Sequence, residues 1–140
     1  MSVFFDTNVL VYLFDADAPK KRERAREIFD QHVRDGSLSI STQVLQELYV
    51  TLTRKLAVTL AESEACEVIT ALCEMPVVIT DGPMVLAAIQ LSQRQKLSFW
   101  DALIIESARH SGATVLLSED LQHGQIIEGV TITNPFLSLS

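Results

Sequence analysis

Ser98-Phe99-Trp100-Asp101-Ala102-Leu103-Ile104-Ile105-Glu106-Ser107-Ala108 is the stretch on which the reading of this chain turns. Apolar residues recur at Phe99, Leu103, Ile104 and Ala108, the spacing of a helix with one buried face. Ser98 stands three residues before Asp101 in the pattern of a capping box, although Asp is a weaker reciprocal partner than Glu or Gln. Asp101 therefore falls in the first turn, where free N–H groups and the helix dipole favour an anion. Capping alone would explain an acid at this place. Three further acids, Asp6, Glu47 and Asp120, hold comparable positions at the edges of predicted elements, and the set asks for a second reason.

On either side of this stretch, short apolar runs alternate with helical patterns. Strands are predicted over 2–5, 37–41, 76–80 and 113–118, with a last short one over 130–133. Between them lie a short helix over 9–14 and a longer one from Pro19, a favoured first-turn proline, to Gly36. Further helices are predicted over 42–56, over 62–74 behind a capping box at Thr59–Glu62, and over 84–95 after Asp81-Gly82-Pro83. The alternation predicts an α/β domain with a mainly parallel sheet of four to five strands, covered by helices on both faces. With no repeat, linker or low-complexity segment, residues 1–140 read as one domain.

Composition narrows the function classes. Hydrophobic residues make up 48% of the chain, which favours a packed core over disorder. No apolar run approaches the roughly 18 residues of a membrane span, and the N-terminal residues show no export signal, so a cytoplasmic protein without membrane contact is expected. Cys66 and Cys73 would lie about 10.5 Å apart along one helix, too far for a disulfide, and read as small core residues. No Cys/His spacing suits zinc. The net charge of −7 makes the domain a poor non-specific polyanion binder. Lys20, Lys21, Arg22, Arg24 and Arg26 form a local basic cluster, read as a solvated helix face.

In open parallel sheets, ligands bind outside the carboxyl ends of the strands. Asp6 follows the first strand, Glu47 follows the second by about a turn of helix, and Asp120 follows the fourth. Asp101 needs only to bring its helix N-terminus to the same edge. Converging carboxylates repel, and repulsion should hold at least one of them above its ordinary pKa when no metal is present. A hard cation such as Mg²⁺ or Mn²⁺ resolves the conflict and can activate water against a phosphodiester. No Ser/His/Asp or Cys/His arrangement competes with this reading. Taken singly, each acid has a structural explanation: Asp6 and Asn8 as helix caps, Glu47 as a solvated helix residue, Asp120 as a turn acid. Trp100 reads more simply as a packing residue than as a platform for a base.

Phe5-Asp6-Thr7-Asn8-Val9-Leu10, Glu47 in a helix, Trp100-Asp101-Ala102-Leu103-Ile104, and Leu117-Ser118-Glu119-Asp120-Leu121-Gln122-His123-Gly124 resemble the PIN domain. The likeness is closer to the PIN-domain toxins of bacterial toxin–antitoxin pairs, and it includes the ending Asn134-Pro135-Phe136. It spans essentially the whole chain. The resemblance implies a magnesium- or manganese-dependent ribonuclease acting on RNA, inhibited by a cognate antitoxin and usually a homodimer. It places the family's acids, as metal ligands and catalytic residues, on Asp6, Glu47, Asp101 and Asp120. Asn8 and Ser118 stand beside them in supporting positions, Ser118 keeping the hydroxyl of a Thr that is frequent there. Between Glu119 and Asp120, the Leu-Gln-His-Gly at 121–124 favours Asp120.

A phosphorylated signalling receiver shares the acidic α/β plan but needs a late Lys, and the last Lys here is Lys96, before the fourth strand. A haloacid-dehalogenase-like phosphatase needs a second Asp where Asn8 stands. The remaining alternative is a catalytically silent PIN-like module that binds nucleic acid or protein.

Overall fold

The computed structural model describes residues 2–139. The elements run β1 (Val3–Phe5), α1 (Thr7–Val11), a 3₁₀ turn (Tyr12–Phe14), α2 (Pro19–Arg34), β2 (Leu38–Ser41), α3 (Thr42–Val50) and a π turn (Thr51–Lys55). They continue with α4 (Glu62–Leu72), β3 (Val77–Val78), α5 (Gly82–Gln95), α6 (Phe99–His110), β4 (Val115–Leu117), β5 (Ile126–Ile127) and β6 (Val130–Thr133). One sheet forms in the order β3-β2-β1-β4-β6-β5, parallel throughout except where β5 meets β6.

β1 sits at the middle of this sheet, pairing Val3 with Leu38 on one side and with Val115 on the other. Every residue of β1 and of β2 is buried, as happens when both faces of a parallel strand are covered. Phe4, Ile40, Leu116 and Ile132 form the core of the sheet, and Leu48, Leu52 and Ile105 close over it from the helices. Residues 102–108 of α6 are buried without a break, because the helix packs against β2, β4 and β6 and against α5 as well. Its apolar residues at helix spacing are thus the visible part of a wider burial. Ser98 caps it, with the Asp101 N–H donating to Ser98 Oγ at 3.1 Å.

Four sequence expectations are corrected. The sheet has six strands, not four to five. β5 is only two residues long, too short to show alternation, and the turn joining it to β6 places Glu128 and Gly129 at φ 51° and 80°, as a two-residue hairpin demands. The helix expected over 42–56 widens into the π turn, where Thr53 Oγ1 donates to the Tyr49 carbonyl at 2.8 Å and competes with the regular ladder. Thr59 does not cap α4. Ala61 takes the N-cap place, and Glu64 Oε1 accepts from its N–H at 3.1 Å. Cys66 and Cys73 are exposed, because Ala65 and Leu72 are the buried positions of α4 and the cysteines fall beside them on the solvent side. No helix among the described residues is long and apolar enough to cross a membrane.

Candidate active site

β1 delivers Asp6 to the carboxyl edge of the sheet, and the Asp6 N–H extends the ladder to the Leu117 carbonyl at 2.9 Å. Asp6 then caps α1, its Oδ1 accepting from the Thr7 N–H at 2.7 Å. Its Oδ2 accepts from Ser118 Oγ at 2.8 Å and from Asn8 Nδ2 at 3.3 Å. Ser118, at the end of β4, is fully buried and also accepts from the N–H groups of Asp120 and Leu121 at 3.2 and 3.4 Å. Asn8 Oδ1 accepts from the Glu119 N–H at 3.0 Å. Asn8 and Ser118 therefore splice the turn after β1 to the turn after β4, and Asp6 lies at the splice.

Glu47 enters from α3. Its Oε1 accepts from Thr7 Oγ1 at 2.7 Å and its Oε2 from Gln43 Nε2 at 3.4 Å. The Gln43 amide also donates to the Trp100 carbonyl at 3.3 Å, tying α3 to the start of α6. With both N–H groups so used, Gln43 Oε1 is left buried without a partner. Asp101 follows Trp100 in the first turn of α6. Asp6, Glu47, Asp101 and Asp120, the acids singled out in the sequence, all line one cavity of about 690 Å³.

Glu119 lines it too, but its carboxylate is committed elsewhere. Tyr12 Oη donates to one oxygen and Lys21 Nζ to the other, each at 2.5 Å. Lys21 also lies 5.0 Å from the centre of the Tyr12 ring, which packs edge-on against Phe136. Asp120 accepts no hydrogen bond among the described residues. The basic cluster is not simply a solvated face. Lys21 pairs with Glu119, Arg24 Nε donates to the Pro135 carbonyl at 3.2 Å, and Arg22 Nε is buried.

Among the described residues two carboxylates are buried, Asp6 and Glu106. Glu106 is neutralised by the Arg109 guanidinium at 2.7 Å. Asp6 receives only neutral donors, and burial pushes its carboxyl up to about 6, against the lowering effect of Ser118 and Thr7. The negative charges of Glu47 and Asp120 add to the rise. The direction is the one expected from converging acids, but loss of solvent outweighs repulsion as its cause.

The donor set fits a hard divalent cation: its oxygens are carboxylates, and one of them is buried without a counter-charge. No three His, Cys, Asp or Glu side chains among the described residues are gathered closely enough to chelate an ion as they stand. That spacing is compatible with magnesium, which keeps several waters and commonly takes only one or two protein carboxylates.

Sequence reasoning passed over Thr7, Gln43, Tyr12 and Lys21. Thr7 lies inside the motif already quoted, and Gln43 precedes Glu47 by four residues on one helix face, so both carried a local signal. Trp100 was expected to pack. It is instead 62% exposed and lines the cavity.

Ser118→Ala would leave the amides of Asp120 and Leu121 without their acceptor and take a donor from Asp6. Thermal or urea melts should show a loss of about 1–2 kcal/mol. Carbonyl NMR should place the Asp6 titration higher than in the parent. An unmoved titration would mean that Ser118 does not tune Asp6.

A family model described as PIN domain matches residues 3–127. Among curated proteins no sequence match is found. Solved structures do match. A toxin-antitoxin complex from Klebsiella pneumoniae superposes with TM-score 0.69 at 20% identity, covering 96% of this chain and 98% of that one. VapC20 of Mycobacterium tuberculosis, described as a Sarcin-Ricin loop cleaving toxin, gives 0.64 at 19% identity, covering 82% and 87%. DNA-bound VapBC from Salmonella typhimurium gives 0.67 at 20% identity, covering 96% and 98%. At such identities the likeness establishes the fold.

Proposed function

The chain belongs to the PIN-domain family, and from that premise we propose that it is a divalent-metal-dependent endoribonuclease, the toxin of a toxin–antitoxin pair. The observation that carries this reading is the meeting of Asp6, Glu47, Asp101 and Asp120 in one cavity at the carboxyl edge of the sheet. Asp6, Asp101 and Asp120, with Glu47, would hold Mg²⁺ or Mn²⁺. When bound, such a cation supplies Lewis-acid polarisation of the phosphodiester and makes water a competent nucleophile near neutral pH.

The chain's own residues prepare that chemistry. Ser118 and Thr7 hold the Asp6 carboxylate in one orientation. Thr7 and Gln43 do the same for Glu47, leaving it able to accept a proton from a water facing the cavity. Lys21 and Tyr12 keep the Glu119 charge away from the centre.

RNA cleavage by the purified protein should require Mg²⁺ or Mn²⁺ and stop with a chelator. With water as the attacking group, the products should carry 5′-phosphate and 3′-hydroxyl ends. A 2′,3′-cyclic phosphate on the fragments would show that the RNA's own 2′-hydroxyl attacked and would refute this mechanism. The wide setting of the acids is the one observation favouring a catalytically silent PIN-like module. No cleavage at all would select that reading, and cleavage that ignores both metal and chelator would refute the metal dependence. A cognate antitoxin would silence the enzyme most directly by placing an Arg or Lys among the carboxylates, where opposite charge is strongly favoured. A homodimer belongs to the same proposal and is testable by sedimentation.

A further inference from the structure

We infer that Trp100 is a stacking platform for an unpaired nucleobase of the RNA, beside the bond to be cut. The inference deepens the ribonuclease reading and rests on it. Trp100 is 62% exposed, whereas the α6 residues at 102–108 are all buried. Nothing in the described chain covers the larger part of its indole.

The ring is nevertheless held in place. Its backbone carbonyl accepts from Gln43 Nε2 at 3.3 Å. Phe99, which packs on the core, meets it edge-on with ring centres 5.0 Å apart. A ring fixed before binding loses little freedom when a base lands on it.

The surroundings of the ring point to a nucleotide. Trp100 lines the same cavity as the four acids and immediately precedes Asp101. Val50, Thr51 and Lys55, from the end of α3 and the π turn, line it as well. Lys55 enters no ion pair among the described residues and leaves an ammonium group for a backbone phosphate. An aromatic face, a cation and a polyacidic centre in one cavity match the three parts of a nucleotide bound through a metal ion: base, flanking phosphate and scissile phosphate. A base in a duplex has no free face to offer, so the substrate class is single-stranded or looped RNA.

Trp100 is the only tryptophan in the chain, so its emission reports on this one residue. The test uses Asp6→Asn protein in Mg²⁺, to prevent cutting, titrated with a short single-stranded oligoadenylate and with an abasic strand of equal length. Binding is followed separately by anisotropy of a label on the RNA. Oligoadenylate should quench the tryptophan, and the abasic strand should bind more weakly without quenching. Adding Trp100→Ala or Trp100→Leu should weaken oligoadenylate binding by roughly 5- to 150-fold, the range for losing one stacked base, and Trp100→Phe should recover most of it. In the cleaving parent background the Trp100→Ala loss should fall mainly on KM.

Saturating RNA that leaves the emission unchanged would overturn the inference. So would Trp100→Leu binding as tightly as tryptophan, or an emission change with protein concentration alone, which would mean that a second copy covers the ring. The nuclease reading fails separately, if the parent never cuts RNA. Quenching by oligoadenylate in such a protein would still uphold Trp100 as the base contact.

Discussion

Asp6→Asn is expected to lower magnesium- or manganese-dependent RNA cleavage by at least about a hundredfold. The floor comes from metal sites in general, where changing even an outer partner of a ligand costs about 10- to 100-fold. The substitution keeps the volume of the side chain and its ability to cap α1. It removes the charge at the point where β1, α1 and the end of β4 meet. Asp120→Asn should fall in the same range. Glu119→Gln should retain most of the activity, because the charge of Glu119 is already paired with the Lys21 ammonium, whereas Asp6 and Glu47 receive only neutral donors. Initial rates at saturating Mg²⁺ or Mn²⁺, with a melting curve as control for folding, decide the matter. An Asp6→Asn protein cutting within a few-fold of the parent would remove Asp6 from the chemistry, and the proposed metal centre with it. A Glu119→Gln protein as impaired as Asp120→Asn would instead place the wrong acid at the centre.

The elements were legible because each announces itself over a few neighbouring residues. Ser98 before Asp101, Pro19 in a first turn and Gly36 after α2 are local signals with local causes. The acids can be assembled from the sequence because topology does the remaining work: a parallel sheet brings the residues just past its strand ends to one edge. Less was legible where the deciding neighbour is distant in the chain. Lys21 meets Glu119 across 98 positions and Tyr12 meets it across 107, contacts that Asp120 does not share. The exposure of Trp100 depends on where α6 begins relative to α3, which no window of sequence states. Cys66 and Cys73 were misjudged from residue type, since which face of α4 meets the core is settled by Ala65 and Leu72. For Asp6, the pattern showed the company of other acids. It did not show the depth of burial, which is the larger influence on its proton.

That depth sets a pH dependence whose sign can be worked out. Asp6 has an ordinary pKa of 3.8 and is held at about 6 in the folded chain. Below pH 4 it is protonated in both states and has no differential effect. Between about pH 4 and pH 6 the unfolded chain releases the proton and the folded chain keeps it. Without metal, stability should therefore fall as pH rises through this window, by on the order of 3 kcal/mol, and level off above it. Asp6→Asn has nothing to titrate. Its amide NH₂ cannot accept a hydrogen bond, whereas both oxygens of the Asp6 carboxyl do, so at pH 4 it should be somewhat less stable than the parent. At pH 8, where the parent must bury a charge, the variant should be the more stable by about 1–2 kcal/mol, a shift of a few degrees in Tm. The two stability curves should cross between these limits. Saturating Mg²⁺ at pH 8 should reverse the order again. It stabilises the parent by RT ln(1 + [L]/Kd), about 2.7 kcal/mol at a hundred times Kd, and has little left to bind in the variant. Denaturant melts of both proteins across this range, with and without metal, carry the test. Parallel curves would show that Asp6 is an ordinary helix cap. A crossing in chelator that metal abolishes would identify a buried carboxylate held without a counter-charge until a cation arrives.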